Sequence, residues 1–136
     1  MAGKKLLQCL KKRDVLNADR ADAAELIKLG ERYLQEDRLS DAIDFFEKAG
    51  YRDGLYGLRE RCVGEGDYFL YQRLTKILND SPDNEEWIRL GDNALVQGKL
   101  LFARQSYLRA GHSQKLAQVE TLLGFNGEIP EKERLH

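Results

Sequence analysis

The sequence predicts an all-α chain of antiparallel helix pairs stacked on one another, and three observations carry that expectation. Apolar residues recur at spacings of three and four along the chain, and no segment alternates cleanly at two. The two prolines, Pro82 and Pro130, fall outside the periodic segments, so neither breaks a helix. One stretch also occurs twice. Leu29-Gly30-Glu31-Arg32-Tyr33-Leu34 returns as Leu90-Gly91-Asp92-Asn93-Ala94-Leu95. Leu39, Ala42, Phe46, Ala49 and Gly50 are then answered by Leu100, Ala103, Tyr107, Ala110 and Gly111, always 61 residues on. A constant offset without slippage marks a duplicated unit. Such a unit cannot bury its apolar face alone, and stacked copies offer an extended surface for holding other proteins.

Eight helical segments follow in order. The first, about 4–16, sets Leu6, Leu7 and Leu10 opposite Lys4, Lys5, Lys11 and Lys12, with Cys9 at the edge of the apolar side. The second covers about 22–36. The third opens after Leu39, with Ser40 or Asp41 near its start, and stops at Ala49-Gly50 in a left-handed turn. The fourth covers 53–63 and presents Leu55, Leu58 and Cys62; Gly64-Glu65-Gly66 ends it. Asp67 caps the fifth, whose Leu70, Tyr71, Leu74, Ile77 and Leu78 form one stripe. Asn79-Asp80-Ser81-Pro82 is a turn that starts the sixth, with Pro82 accommodated in its first turn. Gly98 ends the sixth near Val96. The seventh spans 100–110 and the eighth 112–123, with Leu116, Val119 and Leu123 inward. Residues from Phe125 onward read as a loose polar tail. The domain plan is a basic capping helix over 1–20, a repeat domain over 21–124 and a flexible tail over 125–136.

Leu26-x2-Leu29-Gly30-x2-Tyr33, followed by Ala42-x3-Phe46-x2-Ala49, resembles the tetratricopeptide repeat, whose pattern is Trp-x2-Leu-Gly-x2-Tyr, then Ala-x3-Phe. The second copy restores the tryptophan at Trp87-x2-Leu90-Gly91 and places Ala94 where the tyrosine would stand. The resemblance covers residues 23–50 and 84–111. It implies a short right-handed superhelix, a solenoid of tetratricopeptide type, with the first helix of each pair lining the concave side. The closing proline is missing from both copies, and the offset of 61 falls short of twice the 34-residue period. The middle pair departs further, because Tyr71 stands where a small alanine is expected. The physics runs parallel. Gly30 and Gly91 lie in helix interiors, where each costs about 1 kcal/mol relative to alanine. Close approach of the partner helix, with Phe46 or Tyr107 over the missing side chain, would compensate.

Charged residues make up 33% of the 136 residues and the net charge is −1, a globular profile without a strong polyanion signal. No apolar run nears the ~20 residues that cross a bilayer, and no secretory leader is evident. Cys9 and Cys62 are far apart and have no metal spacing, so they read as free thiols of a reducing compartment, and the expected location is the cytoplasm. Of the two histidines, His136 is terminal and His112 stands at a helix start as a capping residue. There is no zinc-protease helix, nucleophile elbow or phosphate loop. The reading is therefore not an enzyme, with no cofactor, no metal and no small-molecule substrate.

The expected function is a protein–protein interaction module, an adaptor or scaffold, that holds a peptide or partner protein on the concave surface. The candidate partner-binding stripes are Ile27, Glu31 and Leu34 flanked by Lys28 and Gln35, and Ile88, Asp92 and Leu95 flanked by Arg89 and Val96. Apolar centres with charged edges suit an amphipathic or extended peptide. The competing expectation is that Ile27, Leu34, Ile88 and Leu95 pack between units. Glu31 and Asp92 occupy matching places, which argues against a clamp for a peptide's terminal carboxylate. A second reading is a homodimer or other homo-oligomer, because Tyr68, Phe69 and Tyr71 are more aromatics than one stripe buries. A third is membrane or nucleic-acid contact through residues 1–20, where six cations face two carboxylates for a net of +4. A helix of three turns binds weakly alone, and no aromatics are interleaved with its cations, so both of those partners are disfavoured.

Overall fold

The computed structural model describes residues 22–124, all of their regular structure being α-helical. The expected helix over 4–16, with Cys9, and the tail over 125–136 lie outside the described residues. Seven helices are described: α1 (Ala23–Gln35), α2 (Leu39–Ala49), α3 (Arg52–Glu65), α4 (Tyr68–Ile77), α5 (Asn84–Val96), α6 (Leu100–Ala110) and α7 (Ser113–Leu122). The chain divides into two compact units, with the boundary between Leu58 and Arg59, inside α3.

In the first unit, α1 packs on α2 across the short connection 36–38. Asp22 starts α1 by accepting a hydrogen bond from the Ala24 N–H, and Gly50 ends α2 at φ +67°. Leu26, Tyr33, Ala42, Ile43, Phe45 and Phe46 are buried, each large side chain contributing roughly 1.5–3 kcal/mol. Tyr33 stacks on Phe45 at 5.3 Å, and Phe46 meets Tyr51 edge-on. A Cβ added to Gly30 would lie 2.5 Å from the Phe46 ring, so the glycine is what lets the ring lie on α1.

The second unit repeats the device. Here α5 packs on α6, and a Cβ at Gly91 would lie 2.6 Å from the Tyr107 ring. Gly111 ends α6 at φ +68°, matching Gly50 in the first unit. Ala94, Ala103, Tyr107 and Val119 form a buried cluster, with Ile88, Leu95, Phe102, Leu116 and Leu123 packed against it. Helix α7 covers this cluster, and α4 adds Tyr68 and Tyr71 beside Trp87 at 6.0 and 5.0 Å. The buried hydroxyls of Thr75 and Ser106 donate back to the carbonyls of Gln72 and Phe102, so neither is orphaned.

Three details differ from the sequence expectation. Helix α3 runs through Gly64 and Glu65, and only Gly66, at φ +68°, ends it. The end of α3 is held by α5 and the turn after it. Asn93 Nδ2, Gln97 Nε2 and Lys99 Nζ donate to the carbonyls of Val63, Gly64 and Glu65 at 2.8, 3.0 and 2.7 Å. The last carbonyls of a helix lack the partner one turn on; Val63 also accepts from the Gly66 N–H at 3.2 Å, and these side chains supply a donor to all three. Pro82 lies outside α5, which begins at Asn84 with Asp83 accepting from the Glu86 N–H. An Asp cap satisfies an otherwise orphaned donor, which Pro82 has no side-chain acceptor to do. Helix α2 begins at Leu39 behind Arg38, without a side-chain capping bond, so Ser40 and Asp41 sit inside its first turn. The other expected caps are present: Asp67 accepts from the Leu70 N–H, and His112 Nδ1 accepts from the Lys115 N–H.

Candidate functional site

The stripe on α1 belongs to the first unit. Ile27 and Leu34 are half-buried, whereas Lys28, Glu31 and Gln35 are exposed. Among the described residues these three polar side chains have no hydrogen-bond or ionic partner. Helical spacing places Ile27, Glu31 and Leu34 together, so apolar atoms lie between open charges.

The stripe on α5 belongs to the second unit, and most of it is engaged there. Ile88 and Leu95 pack against the buried cluster. Arg89 pairs with Glu60 at 3.2 Å. Asp92 accepts from the Tyr107 hydroxyl at 2.5 Å and from the Lys115 ammonium at 2.8 Å. Burial opposes the charge of Asp92, but the bonds from Lys115 and Tyr107 outweigh it and hold this carboxyl below its usual range. Val96 remains open, 86% exposed. The two stripes are therefore chemically unlike despite their matched sequence positions. Phe46, which lacks a hydroxyl, stands where the second copy has Tyr107, and Gly54 stands where it has Lys115. Those two differences are visible in the sequence, but only the packed structure shows that Tyr107 and Lys115 reach Asp92.

Tyr71 is fully buried and donates to Glu86 at 2.8 Å. Burial first, and then the adjacent carboxylate, push the Tyr71 and Tyr107 phenols above their ordinary range. Both folded-state values exceed the unfolded value of about 10. The stability these phenols contribute is thus complete below pH ~10 and lost as pH rises through the folded values. A Tyr71→Phe/Tyr107→Phe protein should lose less of its urea midpoint between pH 8 and about pH 11 than the wild type. Equal losses would remove both phenols from the alkaline transition.

A third feature went unread in the sequence. In the second unit a hollow of about 360 Å³ opens beside the connection from α4 to α5. Gln72, Lys76, Asn79, Asp80, Trp87 and Arg109 contribute to its lining. The Arg109 guanidinium lies 4.6 Å from the centre of the Trp87 ring, a cation–π contact. Trp87 attracts notice in the sequence only as a repeat-motif residue, and Arg109 and Lys76 lie 22 and 11 residues from it.

Cys62, the free cysteine among the described residues, is buried, which pushes its thiol up to about 12 and keeps it protonated near neutrality. Among the described residues no cluster of three or more His, Cys, Asp or Glu side chains is placed to hold a metal ion. No helix among them is long and apolar enough to cross a membrane. No family model, no curated protein and no solved structure matches this chain.

Proposed function

We propose that this chain is a non-enzymatic protein–protein interaction module, an adaptor or scaffold of tetratricopeptide type, working in the cytoplasm. The architecture is supported by the way both helix pairs use one device at one offset. A ring lies on an interior glycine, and the second helix ends on a left-handed glycine. The location is supported by the free, buried thiol of Cys62. The observation that carries the binding role is the α1 stripe, where Lys28, Glu31 and Gln35 stand open around half-buried Ile27 and Leu34. A partner helix or extended segment would cover the two apolar residues and engage the charges at their edge. The α5 stripe contributes less, through Val96, because Arg89 and Asp92 are already engaged.

The test uses the full chain beside a Lys28→Glu/Leu34→Asp variant shown by circular dichroism to be folded. Proteins captured from native lysate are purified and their affinities for both chains measured. A partner bound by the wild type and at least about tenfold more weakly by the variant supports the α1 surface. Capture of nothing, or equal affinity for both chains, overturns it.

Self-association is the second reading, and Phe69 favours it. That ring is 66% exposed and lies edge-on to Phe102 at 5.3 Å, with Leu101 62% exposed next to Phe102 in the chain. A contiguous apolar surface of this kind is a common interface feature. Light scattering should find a dimer that Phe69→Ser dissociates; a monomer at high concentration removes this reading.

A further inference from the structure

We propose that the hollow beside the α4–α5 connection is a docking site for an acidic peptide, held by the Lys76 ammonium and the Arg109 guanidinium. The proposal rests on the interaction-module reading and names the partner's chemistry. Its volume, about 360 Å³, sits at the small end of the ~300–1,000 Å³ typical of binding pockets. It therefore admits one or two side chains of a peptide rather than the face of a whole helix.

The charge facing the hollow is positive. Asp80 is its one carboxylate, and both of its oxygens are occupied. Oδ2 pairs with Arg59, and Oδ1 accepts from the Ser81 N–H. Lys76 and Arg109 have no carboxylate partner among the described residues. Arg109 is held in place all the same. Its guanidinium carbon lies 4.6 Å from the ring centre of Trp87, a residue only 4% exposed, and its N–H donors make no hydrogen bond among the described residues. Two cations on different helices, one of them anchored, present a fixed pair of anion contacts. The amides of Gln72 and Asn79 add neutral donors and acceptors suited to a peptide backbone.

The same geometry favours a carboxylate over a phosphate. Asp80 remains 40% exposed at the rim and repels a dianion more than a monoanion. The hollow also adjoins the C-terminal end of α4, which offers carbonyls rather than the free N–H groups of a phosphate cradle. Attraction then comes from the two side-chain cations alone, enough for single carboxylates spaced along a chain.

Trp87 is the only tryptophan of the protein, so its fluorescence reports on the hollow directly. Capped tetraglutamate is titrated into the full chain, followed by Trp87 emission and by backbone amide NMR. The expected result is a saturable change, with shifts centred on Gln72, Lys76, Asn79 and Arg109. Lys76→Glu with Arg109→Glu should raise the Kd by about tenfold or more, two exposed ion pairs each being reversed. Lys76→Glu alone leaves the Arg109–Trp87 contact in place and should weaken binding by a smaller factor. Lys48→Glu, a charge change on α2, should leave it unchanged. The proposal is overturned if capped tetraglutamine binds equally, or if the double variant binds tetraglutamate as the wild type does. Shifts centred elsewhere, or none at millimolar peptide, overturn it too. Displacement of tetraglutamate by inorganic phosphate at lower concentration reassigns the hollow to phosphate groups. A partner whose affinity depends on Lys28 and Leu34 but not on Lys76 and Arg109 would leave the interaction module standing while removing the hollow from it.

Discussion

Gly66→Ala is expected to lower the melting temperature by more than about 10 °C, a loss of about 2–5 kcal/mol in a domain of this size. Two costs add. Gly66 sits at φ +68°, where a Cβ costs roughly 1–2 kcal/mol. The added Cβ would also land on the Cα and amide nitrogen of Ala94, in the last turn of α5. Side chains at such a contact can rotate away, but backbone cannot, so overpacking adds roughly 1–3 kcal/mol. The displacement would also reach the neighbouring bonds from Asn93, Gln97 and Lys99 to the end of α3. Gly98→Ala is the matched control. Gly98 has φ +75° and nothing within 4 Å of its added Cβ, so it should show the conformational cost alone. Thermal unfolding followed at 222 nm checks the pair, and equal losses would mean that the approach to Ala94 carries no energetic weight.

The second large effect is expected from Gly30→Leu, at about 3 kcal/mol of destabilisation by urea titration. Helix propensity pulls the other way, since leucine is favoured over glycine by nearly 1 kcal/mol in a helix interior. Packing wins because the Phe46 ring occupies the space of the new Cβ, and that ring is 1% exposed with Tyr51 against it. Phe45 Cβ, at 3.3 Å from the added atom, closes a further direction of retreat. The cost should shrink by more than about 1 kcal/mol in a Phe46→Ala background, because the two sites share one volume. Ala103→Leu tests the same close contact in the second unit, where Ala103 is fully buried. An unchanged midpoint in Gly30→Leu would show that α1 and α2 do not pack as described.

Both predictions concern glycines, yet only one was legible before the structure. Gly30 lies in a periodic segment, Phe46 lies at the matching place of the next, and Gly91 with Tyr107 repeats the arrangement. Helical periodicity and the duplication were enough to pair ring with glycine. Gly66 read simply as turn punctuation. Its approach to Ala94 spans 28 residues of chain, and no local pattern encodes which backbone passes over it. Gly64 read the same way and is helical instead, lacking the positive φ with which Gly66 ends α3, and its carbonyl accepts from Gln97.

The two candidate stripes divide along similar lines. On α1, spacing alone places Ile27, Glu31 and Leu34 on one face, and the exposure of Lys28, Glu31 and Gln35 comes from the structure. The engagement of the α5 stripe does not follow from spacing, because the duplicated pattern implies equal roles for Glu31 and Asp92. Tyr107 and Lys115 capture Asp92, and Glu60 captures Arg89, through contacts made by side chains from other helices. The hollow holding Trp87, Lys76 and Arg109 was illegible for the same reason, its lining coming from three helices and a turn.

Within the described residues the sequence by itself therefore determined the seven helices, most of their caps and the packing of ring on glycine within each pair. Those depend on periodicity and on groups a few residues apart, whose free energies are decided locally. Tertiary structure alone decided which charges are engaged, where the carbonyls at the end of α3 find donors, and which cations stand over a hollow. Those outcomes depend on distances between residues far apart in the chain, and electrostatic and hydrogen-bond energies fall away within a few ångströms.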